Sequence, residues 1–258
     1  MIKGLYASYT GMVHQQERLD ALANNLANGD TVGYKKEGIT SQSFDTVLAY
    51  KIKDTSEAVN LPHGIGGMNL GVKIGEGYTD FSQGSMRETG NTFDLALSDK
   101  GFFAVEFTNK AGETSTKYTR DGNFTLTRDG YLTTQEGDFV LNTKGARVKI
   151  DPLKEAFVGR DGGIYQEGDL VTTIQVTDFE DYNYLERYGE NYFEPIEGAQ
   201  TTDAPAAVYS GYLEMANISV VSEMVNMIAI QRAYEANQKL ITTMDSTLEI
   251  SANQIGKL

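Results

Sequence analysis

Between Gly211 and Gly256 the chain runs 44 residues without a glycine or a proline. In a helix interior glycine costs ~1 kcal/mol and proline ~3 kcal/mol relative to alanine, so a stretch free of both can continue as one helix. At ~1.5 Å per residue such a helix reaches ~60 Å, longer than a compact domain of this size needs. The rest of the chain is built differently. Twenty of the 27 glycines fall between Gly64 and Gly198, and all four prolines (Pro62, Pro152, Pro195, Pro205) lie in or next to that stretch. Helix is therefore expected at the end of the chain and turn-rich structure in its middle.

The C-terminal stretch carries a seven-residue apolar column: Val220, Met227, Tyr234, Ile241, Leu248, Ile255. The companion column is weaker, with Met224, Gln231, Gln238, Asp245 and Ala252. Two apolar columns define a strong coiled coil; one good and one polar column define a helix that needs several neighbours. Asn217 is the expected helix cap. The N-terminal segment follows the same steps of three and four through Ile2, Leu5, Tyr9, Met12, Gln16, Leu19, Ala23 and Leu26, and Asn28-Gly29 is a stop signal. Gln16, Gln231 and Gln238 fall on these seams and are candidates for setting register between copies of the chain, as buried polar residues can, or equally for partly exposed places on an imperfect seam. Periodicity alone equally allows two helices that simply pack on a globular core.

The middle reads as antiparallel β structure. Asp121-Gly122, Asp129-Gly130, Glu136-Gly137 and Lys144-Gly145 recur every 7 or 8 residues and are expected as tight hairpin turns. Short alternating segments lie between them, such as 124–127. Further strands are expected at 95–97, 102–107, 156–158 and 173–176.

Charge follows the same division. The whole chain is −14; residues 1–40 are neutral, 211–258 are −2, and 41–210 therefore carry −12. Near-neutral ends suit burial among protein neighbours, and an acidic middle suits a solvated surface. The acidic balance argues against nucleic acid as a partner. No apolar run is long enough for a membrane span. The opening residues have one cation and no solid apolar stretch, so a cleaved secretory signal is not expected.

Signals for catalysis are poor. With no cysteine, disulfides, thiolate nucleophiles and Cys-ligated metals are excluded. His14 and His63 lack paired metal-ligand spacing and read as packing or surface residues. Gly64-Ile-Gly-Gly-Met-Asn lacks the third glycine of a dinucleotide loop. The stretch from Asp178 to Glu194 mixes carboxylates with aromatics, as sugar-cleaving sites do. It reads better as a solvated loop with tyrosines packed on a sheet edge. The Asp-Gly turns lack the spacing of calcium loops. No catalytic, cofactor or metal site is expected.

At the two ends specific motifs appear. Leu5-Tyr-Ala-Ser-Tyr-Thr-Gly-Met12, Leu19-Asp-Ala-Leu-Ala-Asn-Asn-Leu-Ala-Asn28 and Asp30-Thr-Val-Gly-Tyr-Lys35 stand near the start. Gly211-Tyr-Leu-Glu-Met-Ala-Asn217 and Glu223-Met-Val-Asn-Met-Ile-Ala-Ile-Gln-Arg-Ala-Tyr-Glu-Ala-Asn237 stand near the end. Between them come Gln83-Gly-Ser-Met-Arg-Glu-Thr-Gly-Asn91, Phe93-Asp-Leu-Ala-Leu97, Tyr118-Thr-Arg-Asp-Gly-Asn-Phe124 and Leu185-Glu-Arg-Tyr-Gly-Glu-Asn-Tyr-Phe193. Together they resemble the bacterial flagellar basal-body rod and hook proteins over almost the whole chain. Ala216 stands where serine is usual, and Gly29 and Asp30 also depart from the common pattern. The length fits rod members of distal or proximal type better than the longer hook subunit.

The resemblance implies a structural, non-enzymatic subunit of α+β fold. Long terminal helices would form a coiled-coil-like inner layer, with a central, mostly antiparallel β domain outside. The implied organisation is an N-terminal assembly helix and turn over 1–40, an extended linker over 41–84, a β domain over 85–210 and a C-terminal assembly helix over 211–258. Implied partners are further copies of the chain in a helical homopolymer, neighbouring rod and hook subunits, and the flagellar type III export apparatus. The implied location is the flagellar basal body outside the inner membrane, and no cofactor is implied. The residues expected at the assembly interface are Leu5, Met12, Leu19, Asn24, Asn25, Leu26, Val220, Met224, Met227, Gln231, Tyr234, Asn237, Ile241 and Leu248. The competing readings are a cell-wall glycosidase using the acidic aromatic stretch, or a soluble adhesin built on the β domain.

Overall fold

A computed structural model describes residues 2–51, 63–109, 112–189, 191–204 and 206–255. Part of the expected linker, 52–62, lies outside the described residues, as do Glu190, Pro205 and 256–258. The chain forms two compact units, each from separated stretches. The first is Met1–Ala27, Glu37–Asp80 and Ser219–Leu258; the second is Asn28–Lys36 and Phe81–Ile218.

In the first unit, α1 (Ile2–Ala27) ends at the Asn28-Gly29 stop. Helix α2 (Val220–Ile250) is about 46 Å long and runs into a wider π-type turn at Ser251–Ile255. It is shorter than its glycine-free stretch allows, because Tyr212–Glu214 is a strand of the second unit. Asn217 is not the cap. Ser219 occupies that position without a side-chain cap bond. Asn217 Oδ1 instead accepts from the Lys36 backbone N–H at 2.7 Å, and its amide donates to Ser82 Oγ at 3.0 Å.

Helices α1 and α2 pack antiparallel: Gly4 lies against the end of the Met244 side chain and Gly11 against Asn237. Within 41–84, where the sequence suggests an extended linker, the chain forms paired strands. Glu37–Ser43 pairs with Val72–Thr79, and Val47–Lys51 pairs with His63–Met68. The first of these pairs packs on α1. Asn25 fixes its start, donating to Glu37 O at 2.7 Å and accepting from Glu37 N at 2.9 Å.

Nine strands of the second unit form one antiparallel sheet. Its main path runs Leu185–Tyr188, Tyr192–Pro195, Thr114–Thr119, Phe102–Thr108, Phe139–Val140, Leu132–Thr134, Phe124–Leu126. Val176–Phe179 pairs with Phe102–Thr108 on one side and Thr201–Asp203 on the other. The central strand alternates between two buried clusters, as a period of two requires. Phe102 and Ala104 join Tyr118, Phe179 and Phe193, whereas Phe103 and Val105 join Phe124, Leu132 and Val140.

Strands at Leu95–Leu97 and Ala156–Val158 fall where the sequence places them. The expected strand over 173–176 is instead a break. Thr173 ends a strand of the small three-stranded sheet and Val176 begins one of the large sheet. Three of the four expected turns join paired segments, with Gly130, Gly137 and Gly145 at positive φ. Asp121-Gly122 is no hairpin turn. The strands on either side of it pair elsewhere, and a Cβ at Gly122 would fall on the Leu95 carbonyl.

Candidate assembly site

The α1–α2 seam follows a repeat of three and four, but the companion columns differ from expectation. On α2 the less exposed positions are 223, 227, 230, 233, 234, 237, 241, 244 and 248. Met227, Tyr234, Ile241 and Leu248 thus face α1, as the strong column predicts. Their companions are Glu223, Ile230, Asn237 and Met244, three residues on or four back. Met224, Gln231, Gln238, Asp245 and Ala252 stand on the exposed face, with Val220 also exposed. On α1, Leu5, Met12, Leu19 and Leu26 are half-buried. Their companions are Ser8, Gln15 and Leu22, not Tyr9, Gln16 and Ala23, which are exposed. Gln16 donates to Asp20 at 3.1 Å on that outer face. The three glutamines proposed for register therefore lie off the α1–α2 seam, and Asn237, packed against Gly11, occupies it. Of the two asparagines expected at the interface near the start, Asn25 is buried and Asn24 exposed.

His14 is buried beneath the first strand pair, with Nε2 2.8 Å from Ser41 Oγ. Burial, helped by the nearby Arg18 charge, pulls its pKa below the usual histidine value. It is a packing residue.

In the second unit, residues from the start, middle and end of the sequence meet at one point. Glu214 is buried, and its carboxylate accepts from Lys35 Nζ at 2.6 Å, Gly84 N at 2.9 Å and Arg120 Nη1 at 3.2 Å. All three charged side chains are at most 3% exposed. Lys35 Nζ also donates to Ser82 O at 2.8 Å, and Arg120 lies over the Phe102 ring at 5.3 Å. The turn that delivers Lys35 depends on Gly33, at φ +70°, whose N–H donates to Glu214 O at 2.7 Å. A Cβ at Gly33 would fall on the backbone of Arg120 and Asp121. No sequence argument singled out this junction.

Asp121, under the same turn, is an acid that holds its proton more tightly than an exposed carboxyl does. Burial pushes its pKa up to about 6, the Glu136 and Asp94 charges adding to the effect against hydrogen bonds from Asn123 and Asn191. The folded pKa thus lies above the unfolded value of 3.8. The folded state binds more protons between the two, so this contribution is full below pH ~4 and is lost as pH rises through 6. Chemical denaturation across pH 4 to 8 should show the parent losing more stability than Asp121→Asn. Parallel pH profiles would exclude this assignment.

The acidic aromatic stretch is structural rather than a loop at its ends. Phe179, Tyr192 and Phe193 are buried on sheet strands. Three of its carboxylates engage protein groups: Asp178 accepts from Tyr182 OH at 2.8 Å, Asp181 from Asn183 N at 2.9 Å, and Glu194 pairs with Lys117.

The chain thus combines a sheet-rich unit with terminal helices that keep exposed apolar residues. Known proteins define its class. Residues 5–35 match the family described as "Flagella basal body rod protein", residues 96–174 the "Flagellar hook protein FlgE/F/G D1 domain", and residues 209–255 the "Flagellar basal body rod FlgEFG protein C-terminal". The chain is 32% identical to the flagellar basal-body rod protein FlgG of Bacillus subtilis, over 98% of this chain and 99% of that one. It is 34% identical to the flagellar basal-body rod protein FlgF of Caulobacter vibrioides, over 100% and 98%. The flagellar hook-basal body complex protein FlhO of Bacillus subtilis is 31% identical over the full length of both. The chain belongs to the flagellar basal-body rod and hook protein family. Full-length similarity to rod proteins places it there as a structural subunit of rod type.

Proposed function

We propose that the chain polymerises into the tubular shaft of the flagellar rod, its α1–α2 pairs forming a coiled-coil-like inner layer and its sheet-rich unit the outer one. The observation that carries this reading is the uncovered apolar face of α2, where Val221 is 74% and Val225 62% exposed. A solitary chain leaves that surface in water; a neighbouring copy removes it. The polymer would contact other rod and hook subunits. The chain would cross the flagellar type III export apparatus unfolded and without cleavage, a passage that a cysteine-free chain suits. This is a scaffold without a reaction to perform.

Electron microscopy of the purified chain at high concentration tests the reading, with rod-like polymers expected and persistent monomers against it. Position in the shaft is a second question, because rod proteins named FlgG and FlgF match at similar identity. Labelling the protein within isolated basal bodies separates a distal from a proximal place.

A further inference from the structure

We propose that copies of this chain dock head to tail, the outward aliphatic face of α2 in one copy covering the outward aromatic face of α1 in the next. The proposal rests on the rod-subunit reading and goes beyond it by fixing which faces meet and with what stagger. On α1, Tyr6, Tyr9 and Val13 are 57, 53 and 37% exposed. Spaced by three and four, they share one face. On α2, Val221, Met224, Val225 and Ile228 are 74, 52, 62 and 51% exposed and likewise share a face, turned away from α1. Each stripe spans seven residue-to-residue steps, about 10 Å.

The stripes match in length and differ in chemistry. One offers two rings and a valine; the other offers branched aliphatics and a methionine, whose thioether packs well on aromatic rings. A two-fold contact between like faces would close after two copies and leave the other stripe bare. Unlike faces cover both stripes with one repeating contact, the type of interface that builds open helical polymers.

Position along the helices fixes the offset. Gly4 lies against Met244, and Gly11 against Asn237, seven residues on in one helix and seven back in the other. Continuing that register puts Tyr9 level with Lys239 of its own chain. Val225 lies 14 residues from Lys239 in sequence, about 21 Å along the helix. Neighbouring copies are therefore displaced along the helix axis by about 21 Å, and no chain can cover its own stripe.

The chain has no cysteine, so introduced thiols report contacts without background. In assembled protein carrying Tyr9→Cys with Val225→Cys, mild oxidation should yield a ladder of disulfide-linked multimers. Either single variant should yield no ladder. A disulfide needs Cα atoms within about 7 Å, so a bond between these positions joins two copies. Efficient dimers from Val225→Cys alone would show that like faces meet and would overturn the proposal. Polymers without the ladder would overturn it while leaving the rod reading intact; absence of polymers from the parent chain would overturn both. A second measurement uses charges. Neither Tyr9→Glu nor Val225→Glu should polymerise alone, but their mixture should form dimers, since each supplies one intact face. Parent-level assembly of either variant would refute the pairing.

Discussion

Replacing Glu214 with glutamine should cost the second unit on the order of 3 kcal/mol. The substitution keeps the shape of the side chain and removes the charge between Lys35 and Arg120, both buried against it. Solvent cannot take over, because all three side chains lie within the unit. A buried ion pair contributes little compared with an apolar core, but removing one partner leaves the other charge without compensation. The expected readout is a urea midpoint lowered by about 1 to 2 M. An unchanged midpoint would mean that the carboxylate does not balance the two cations. Arg120 already shows the tightness of this arrangement, since its Nε finds no hydrogen-bond partner among the described residues.

Tyr234→Asp should abolish polymers while leaving the sheet-rich unit folded. Tyr234 belongs to the column of α2 that packs on α1, between Met227 and Ile241. A carboxylate there must either be buried without a partner or splay the helices, and each alternative costs a few kcal/mol. The critical concentration for assembly should rise at least tenfold, and cells carrying the variant should be non-motile. Thermal melting followed by tyrosine signals of the sheet should stay within a few degrees of the parent. Normal filaments in the variant would refute the role of this column, and a collapsed sheet signal would refute its confinement to the helix pair.

Both helices, the end of the first at Asn28-Gly29 and most central strands are legible in the sequence. The reason is local. Glycine and proline exclude helix wherever they fall, and the Asp-Gly, Glu-Gly and Lys-Gly pairs supply the positive φ of hairpins. The companion columns are not legible in the same way. A column such as Met227, Tyr234, Ile241, Leu248 has two possible companions, one on each flank, and both are mixed in polarity. The partner helix decides between them. Gly4 and Gly11 on α1 let Met244 and Asn237 approach, so the seam tolerates an asparagine that hydropathy would place outside.

The charged junction is illegible for another reason. Lys35 and Glu214 are separated by 179 residues and Arg120 and Glu214 by 94, and charged side chains are ordinarily assigned to solvent. The available clue lay in the company each one keeps. Lys35 follows Gly33-Tyr34, Arg120 precedes Asp121-Gly122, and Glu214 follows Gly211. Small residues beside a charge allow backbone to close over it.

The division of the chain also sets a timetable. The helix-paired unit takes its first piece from the opening 27 residues and its last from Ser219 onward. Closing α1 on α2 therefore spans nearly the whole sequence, the slowest kind of contact to form. The sheet-rich unit lacks only its short piece Asn28–Lys36 from outside its own long stretch. A chain delivered from its N-terminus can finish that unit first. Its opening helix then waits, unpaired, until the final segment arrives.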